Sequence, residues 1–230
     1  MISALAFDGN GVLYYRDQDF PIMLMEYIRM HYLPELDIKS GVEIFSKFMR
    51  QSFNGNISKS KAMNLFLDTI GISGEDYRND ILSREIEYSR KISLFPGEKE
   101  TLLELARRGF KMGMITNSFQ PASEKAMWFQ ALQLSCAVEV VISSIDVGAA
   151  KPSKAIYLEF ARRIGISPNQ IAFIGHEAFE LEGAKSVGML PVSFNCPPEN
   201  REKYHIERFP DLLNIFAQPG LPPRLKINQA

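Results

Sequence analysis

Cysteine is nearly absent: of 230 residues only Cys136 and Cys196 carry a thiol, far apart and in no CxxC or Cys/His metal spacing. That excludes a disulfide framework, and the two read as ordinary thiols of a reducing compartment. An excess of either charge is missing too. With 26 Lys and Arg against 27 Asp and Glu, the chain has no global field for nucleic acid or an anionic membrane, so a polar ligand has to be caught locally. Long apolar runs are also lacking. No window reaches the roughly 18 uninterrupted apolar residues that a membrane helix needs. Asp8 interrupts the first run, ISALAF, before a signal-peptide core can form. A cytoplasmic protein with no nucleic-acid or membrane partner is expected. Solenoid-period repeats and low-complexity tracts are absent as well. What is present, a 46% hydrophobic composition, suffices for a full core in one large domain or one domain with an insertion.

Five short apolar runs end in small or polar residues: ISALAF (2–7), KMGMIT (111–116), VEVVIS (138–143), IAFIG (171–175) and LPVSF (190–194). Helical patterns alternate with them from about residue 97, which argues for βαβ units and a parallel sheet. GEKETLLELARRG (97–109) places Leu102, Leu103, Leu105 and Ala106 on one stripe before Gly109 stops the helix. SKAIYLEFARRIG (153–165) has Ser153 as cap and Gly165 as stop. Residues 17–93 instead show helical periodicity throughout, broken at Pro34, at Gly55-Asn56 and between Gly71 and Gly74. The expected fold class is α/β, a doubly wound parallel-sheet (Rossmann-like) core with an inserted all-helical cap subdomain. The core is expected over 1–16 and 94–218, the cap over 17–93 and a Pro-rich tail over 219–230. Met23, Met25, Met30 and the aromatics of the insert read as helix core, and Tyr14, Tyr15 and Arg16 as surface packing.

In an open α/β sheet ligands bind beyond the carboxyl ends of the strands, near the point where strand order reverses. The polar residues ending the runs are therefore candidates for one site: Asp8, Thr116-Asn117-Ser118, Lys151, His176, Glu177 and Glu180. A carboxylate, a hydroxyl, a lysine and further acids on one edge are what an aspartyl-phosphate or aspartyl-ester mechanism requires. Glycines beside Asp8 let backbone amides approach an anion.

FDGNGVL, MITNS, VGAAKPSKAIY and IAFIGHEAFELEGAKSVGM resemble, in order, the four motifs of the haloacid dehalogenase superfamily of hydrolases and phosphotransferases. The resemblance runs from residue 2 to about 194, and the helical insert lies where that family places a small cap. It implies that Asp8 is the nucleophile and forms a covalent intermediate, and that Thr116 and Lys151 bind the transferring group's oxygens. It implies that Gly9, Asn117 and Ser118 shape the loops around the substrate, a small phosphate ester. Mg²⁺ is implied as cofactor, bound by Asp8, the main chain of Asn10 and acids of the fourth motif.

Two positions depart from the family pattern. Asn10 stands where its phosphatases carry a second Asp, the acid–base group, whose loss costs roughly 10²–10⁴-fold. His176 replaces the first Asp of the fourth motif and Glu180 the second. Three outcomes follow: Glu177 or Glu180 reaches the Mg²⁺; Asp8 with His176 and a Glu selects a softer ion such as Mn²⁺ or Zn²⁺; or no metal binds. The leading expectation is a phosphatase working through an aspartyl-enzyme intermediate. The alternatives are a non-catalytic relative that binds a ligand or partner in the same cleft, and a metal-independent 2-haloacid dehalogenase.

Overall fold

The computed structural model describes residues 1–224. The chain enters the sheet at once. Strand β1 (Ala4–Phe7) is entirely buried, and its side chains alternate between the sheet's two faces. Leu5 and Phe7 join one cluster with Met112, Met114, Phe194 and Phe209, while Ala4 and Ala6 face Tyr157, Phe160 and Phe173 on the other side. Burial on both faces explains why the strand runs read as nearly continuous apolar segments.

After β1 come four helices, α1 (Phe20–His31), α2 (Ile38–Phe53), α3 (Lys59–Thr69) and α4 (Glu75–Ser89). Pro21 sits in the first turn of α1, where its missing N–H costs nothing. Asp37 and Ser58 cap α2 and α3 by accepting from the N–H groups of Ser40 and Lys61 at 2.8 and 3.2 Å. The four helices bury a cluster of their own around Leu24, Met25, Phe45, Phe66 and Ile81. Their neck to the core is a pair of antiparallel segments in which Tyr15 and Ser93 exchange two backbone hydrogen bonds of 2.9 Å. Met25 is buried as expected, but Met30 is 77% exposed, because it lies off the α1 face that carries Leu24, Met25 and Ile28.

The core continues as α5 (Glu98–Arg107), β2 (Lys111–Thr116), α6 (Ala122–Ala131), β3 (Val140–Ser143), α7 (Ser144–Val147) and α8 (Lys154–Ile164). It closes with β4 (Ile171–Gly175), α9 (Ala178–Lys185), β5 (Leu190–Phe194), β6 (Tyr204–Ile206) and α10 (Leu212–Ile215). Among the described residues the sheet has six strands in the order β3-β2-β1-β4-β5-β6, all parallel. The order reverses at β1, which pairs with both β2 and β4. That switch point places the end of β1 at the centre of the ligand-binding edge.

Helix α5 differs from its expected stripe. Glu98, Thr101, Leu102 and Leu105 are buried, whereas Leu103 is 37% exposed. The i, i+3, i+4, i+7 face begins at Glu98, and Leu103 lies about 100° away from Leu102 around the helix. Ser153 stands at the N-cap of α8 without a side-chain cap bond, and Gly165 ends that helix in the left-handed region. At the C-terminal side, Gly220 N–H donates to the Ile2 carbonyl at 2.8 Å. The Pro-rich segment therefore first returns to the start of β1, and its residues 225–230 lie outside the described residues.

Candidate active site

Strand β1 delivers Asp8 to the switch point, where its N–H still donates to the Ile174 carbonyl at 2.9 Å. The chain then turns through Gly9, Asn10 and Gly11, and Leu13 N–H returns to the Gly9 carbonyl at 2.8 Å. Both glycines are required by close approaches. A Cβ on Gly9 would stand 2.8 Å from Thr116 Oγ1, and one on Gly11, at φ +85°, would stand 3.1 Å from the His176 ring. The first motif is thus wedged between the second and the fourth.

Asp8 is 5% exposed. Its Oδ1 accepts from the Gly9 N–H at 2.6 Å and from Lys151 Nζ. Its Oδ2 lies 3.2 Å from His176 Nδ1, without the alignment of a hydrogen bond. Lys151 Nζ is also 2.7 Å from Glu180 Oε1, so one buried ammonium bridges two buried carboxylates. Burial pushes the Asp8 carboxyl upward, yet Lys151 and His176 together hold it below its usual value. The same carboxylates raise Lys151 against its own burial. Contact with Asp8 raises His176. Glu180 is pushed up to about 7, mainly by burial and further by the Asp8 charge, with Lys151 opposing. An ionised carboxylate is the protonation state that nucleophilic chemistry needs.

The remaining candidates divide into inward and outward groups. Thr116 ends β2 in register with Ser143 of β3 and is buried beside Gly9. Asn117 clasps the main chain of Lys151: its Oδ1 accepts from Lys151 N–H at 2.7 Å and its Nδ2 donates to the Lys151 carbonyl at 3.2 Å. Ser118 is buried, its N–H donating to Ser144 Oγ and its own Oγ accepting from Gln120 N–H, each at 3.0 Å. Asn117 and Ser118 therefore hold the loops that place Lys151 and Thr116. Asn10 is exposed. Glu177 points outward with its side chain 55% exposed and 3.6 Å from His176 Nε2. Asp8, His176 and Glu180 bring three ligand atoms within 4.8 Å of one another, a set without Glu177. His176 Nδ1 and Glu180 Oε2 are buried and accept or donate no hydrogen bond.

Several residues here were not expected from the sequence. Tyr14 is buried, its ring edge-on to Trp128 at 5.6 Å and its hydroxyl accepting from Lys125 Nζ at 3.0 Å, where surface packing was expected. Its apolar neighbours come from α6, distant in sequence, and no local pattern announces them. Lys59 of the cap bridges Glu85 of the cap, at 2.9 Å, and Glu124 of the core, at 2.8 Å. These three line a cavity of about 610 Å³ between cap and core, whose walls include none of the strand-end residues.

Fold and site together define a doubly wound α/β protein with a buried carboxylate at its switch point. The model of the haloacid dehalogenase-like hydrolases matches residues 2–188, and the chain belongs to that family. It is 29% identical over 195 residues to a phosphatase of Mycobacterium tuberculosis, MT3486, covering 82% of this chain and 85% of the relative. It is 35% identical over 134 residues to the phosphoglycolate phosphatase of Escherichia coli K12, spanning 56% of this chain and about half, 52%, of that protein. Among solved structures, a 2-haloacid dehalogenase from Pseudomonas syringae superposes with a TM-score of 0.71 at 21% identity, over 94% of this chain and 99% of that one. A phosphatase of the family from Thermococcus onnurineus gives 0.68 at 23% identity, over 95% and 100%. At these identities the two structures speak to the fold. Among the described residues no helix is long and apolar enough to cross a membrane.

Proposed function

We propose that the protein is a phosphatase that cleaves a small phosphate ester through a covalent intermediate on Asp8. The observation that carries this reading is the Asp8 carboxylate, held ionised at the sheet's switch point by Lys151. In the first step an Asp8 oxygen bonds to phosphorus and the bond to the ester oxygen breaks. In the second, water attacks phosphorus and the phosphorus–Asp8 bond breaks, which releases phosphate and restores the carboxylate. Lys151 and Thr116 face the transferring oxygens, and Lys151 offsets the charge of nucleophile and phosphoryl group together. Asn10 is an amide and carries no proton to the leaving oxygen, so the site favours esters whose leaving group departs as a stable anion.

Asp8, His176 and Glu180 fit a divalent cation, since their ligand atoms converge and neither His176 Nδ1 nor Glu180 Oε2 is taken up by an aligned hydrogen bond. One nitrogen beside carboxylate oxygens suits Mn²⁺ or Zn²⁺ better than Mg²⁺, and the Asn10 carbonyl would add a fourth donor. When bound, the ion neutralises charge on the phosphoryl oxygens. The cap between β1 and the core, over residues 17–93, would close over the substrate and select it.

The test compares wild type with Asp8→Asn on a panel of phosphate esters, with Mg²⁺, Mn²⁺ or no added metal. Phosphate release by the wild type and its loss in the variant are expected; equal rates would sink the assignment of Asp8. A second reading, a non-catalytic binder, is favoured by Asn10 and His176, which stand where the family carries acids for proton transfer and metal binding. It predicts no turnover by the wild type and turnover after Asn10→Asp with His176→Asp. Halide release from a 2-haloacid without metal would point to the dehalogenase instead.

A further inference from the structure

Two cations, a buried lysine and a half-buried arginine, lie beside the Asp8 loop without a carboxylate in direct ion-pair contact. Lys125 of α6 is 2% exposed. Its Nζ donates to the Tyr14 hydroxyl at 3.0 Å and stands 4.2 Å from the Trp128 ring centroid. The Arg16 guanidinium lies over the same two rings, 5.4 Å from Trp128 and 5.6 Å from Tyr14, with Nη1 donating to the Lys91 carbonyl at 3.0 Å. Among the described residues neither cation has a carboxylate within 4.0 Å. Burial and the like charge of Arg16 bring the Lys125 ammonium down to about 7, with Asp8 opposing.

A buried ammonium without a counter-ion is costly, and aromatic faces return only part of the lost hydration. A packing role beside Trp128 would be filled better by an apolar side chain. Strained electrostatics of this kind concentrate at functional sites. The location agrees: Tyr14 belongs to the nucleophile loop, where its carbonyl accepts from Gly11 N–H at 2.8 Å. Arg16 sits in the neck of the cap, above Phe20 of α1 at 5.1 Å. Both cations flank the join of cap and core over the same two rings, so opening of the cap about that neck would admit an anion between them.

We propose that Lys125 and Arg16 form a second anion subsite, which takes a carboxylate or phosphate carried by the substrate's leaving group. The inference rests on the phosphatase reading and narrows it to esters that bear a second acid. The Tyr14 hydroxyl turns its proton toward that acid while Lys125 and Arg16 supply the charge.

The test is calorimetric binding of two non-hydrolysable probes, inorganic phosphate and phosphonoacetate, to wild type, Lys125→Met and Lys125→Arg. Phosphonoacetate is expected to bind the wild type at least about tenfold tighter than phosphate, the gain of one charge-assisted contact. Lys125→Met should lose that advantage while keeping its phosphate affinity, and Lys125→Arg should retain most of it. Ligand-free Lys125→Met should also melt above the wild type, because an unpaired buried charge has gone; melting below it would support a packing role and overturn the subsite. Phosphate bound without added affinity for phosphonoacetate would overturn the subsite alone. Equal loss of both probes in Lys125→Met would overturn it too, placing Lys125 on the phosphoryl group. No phosphate binding by the wild type would overturn the phosphatase reading and the subsite with it.

Discussion

Replacing Lys151 by methionine keeps most of the side-chain volume and deletes the charge that joins Asp8 to Glu180. The Lys151 side chain has 0% exposure, and those of its two carboxylate partners have 7% and 6%. Without the ammonium, two buried acids face one another with only His176 nearby. Removing one member of a buried ion pair costs about 3–5 kcal/mol. At roughly 2–4 °C per kcal/mol for a domain of this size, Tm should fall by about 6–20 °C. The loss should depend on pH. Glu180 is already pushed up to about 7, and without Lys151 it takes a proton still more readily. The variant should therefore be closer to the wild type near pH 5, where Glu180 is neutral, than near pH 8. Scanning calorimetry across that range measures both effects. Adding Glu180→Gln removes the repulsion, so Lys151→Met should cost less in that background, with a coupling of about 1–3 kcal/mol. A Lys151→Met Tm within about 2 °C of the wild type near pH 8, or no coupling to Glu180, would refute the bridge.

Glu98 faces the core from the first turn of α5 with 0% exposure, and burial pushes its carboxyl up to about 9. Because the folded value exceeds the unfolded one, the stability it contributes is present below the ordinary carboxylate range and lost as pH rises toward 9. Glu98→Gln, which can still accept from the Phe95 N–H, should therefore gain on the order of 2 kcal/mol near pH 8 and little near pH 4, measured by urea unfolding. Asn10→Asp should raise kcat on alkyl phosphates by about 10²–10⁴-fold and change nitrophenyl phosphate far less, since only the former need a proton on departure. An equal effect on both would remove proton transfer as the explanation. Gly11→Ala combines a left-handed φ with a Cβ 3.1 Å from the His176 ring. It should cost about 1–2 kcal/mol in stability and lower activity by displacing His176, as a melting scan and a kinetic assay would report together.

The parallel sheet was legible because its strands are buried on both faces. KMGMIT, IAFIG and LPVSF coincide with β2, β4 and β5, and apolar continuity is a local property. The helical insert was legible for a similar reason, its period and breaks being local. Strand β6, Tyr204–Ile206, escaped notice: three residues including a histidine carry no periodicity, and only pairing with β5 makes them a strand. The chemistry-bearing residues could be nominated because Asp8, Thr116 and His176 stand at the ends of β1, β2 and β4, while Lys151 and Glu180 follow β3 and β4 along the chain.

What the sequence determined by itself was which residue types end which strands, and hence the family and the candidate nucleophile. Tertiary structure alone decided how they meet: Lys151 bridging Asp8 and Glu180, Asn117 clasping the Lys151 main chain, and Glu177 turned outward beside an inward His176. It alone decided the standing of Lys125. In ASEKAMWF a helix-surface lysine is the ordinary expectation, and nothing within a few residues says that the helix turns that side chain toward Trp128 and Tyr14. Burial and charge pairing depend on neighbours that are distant along the chain, so they become readable only once the sheet has brought those neighbours together.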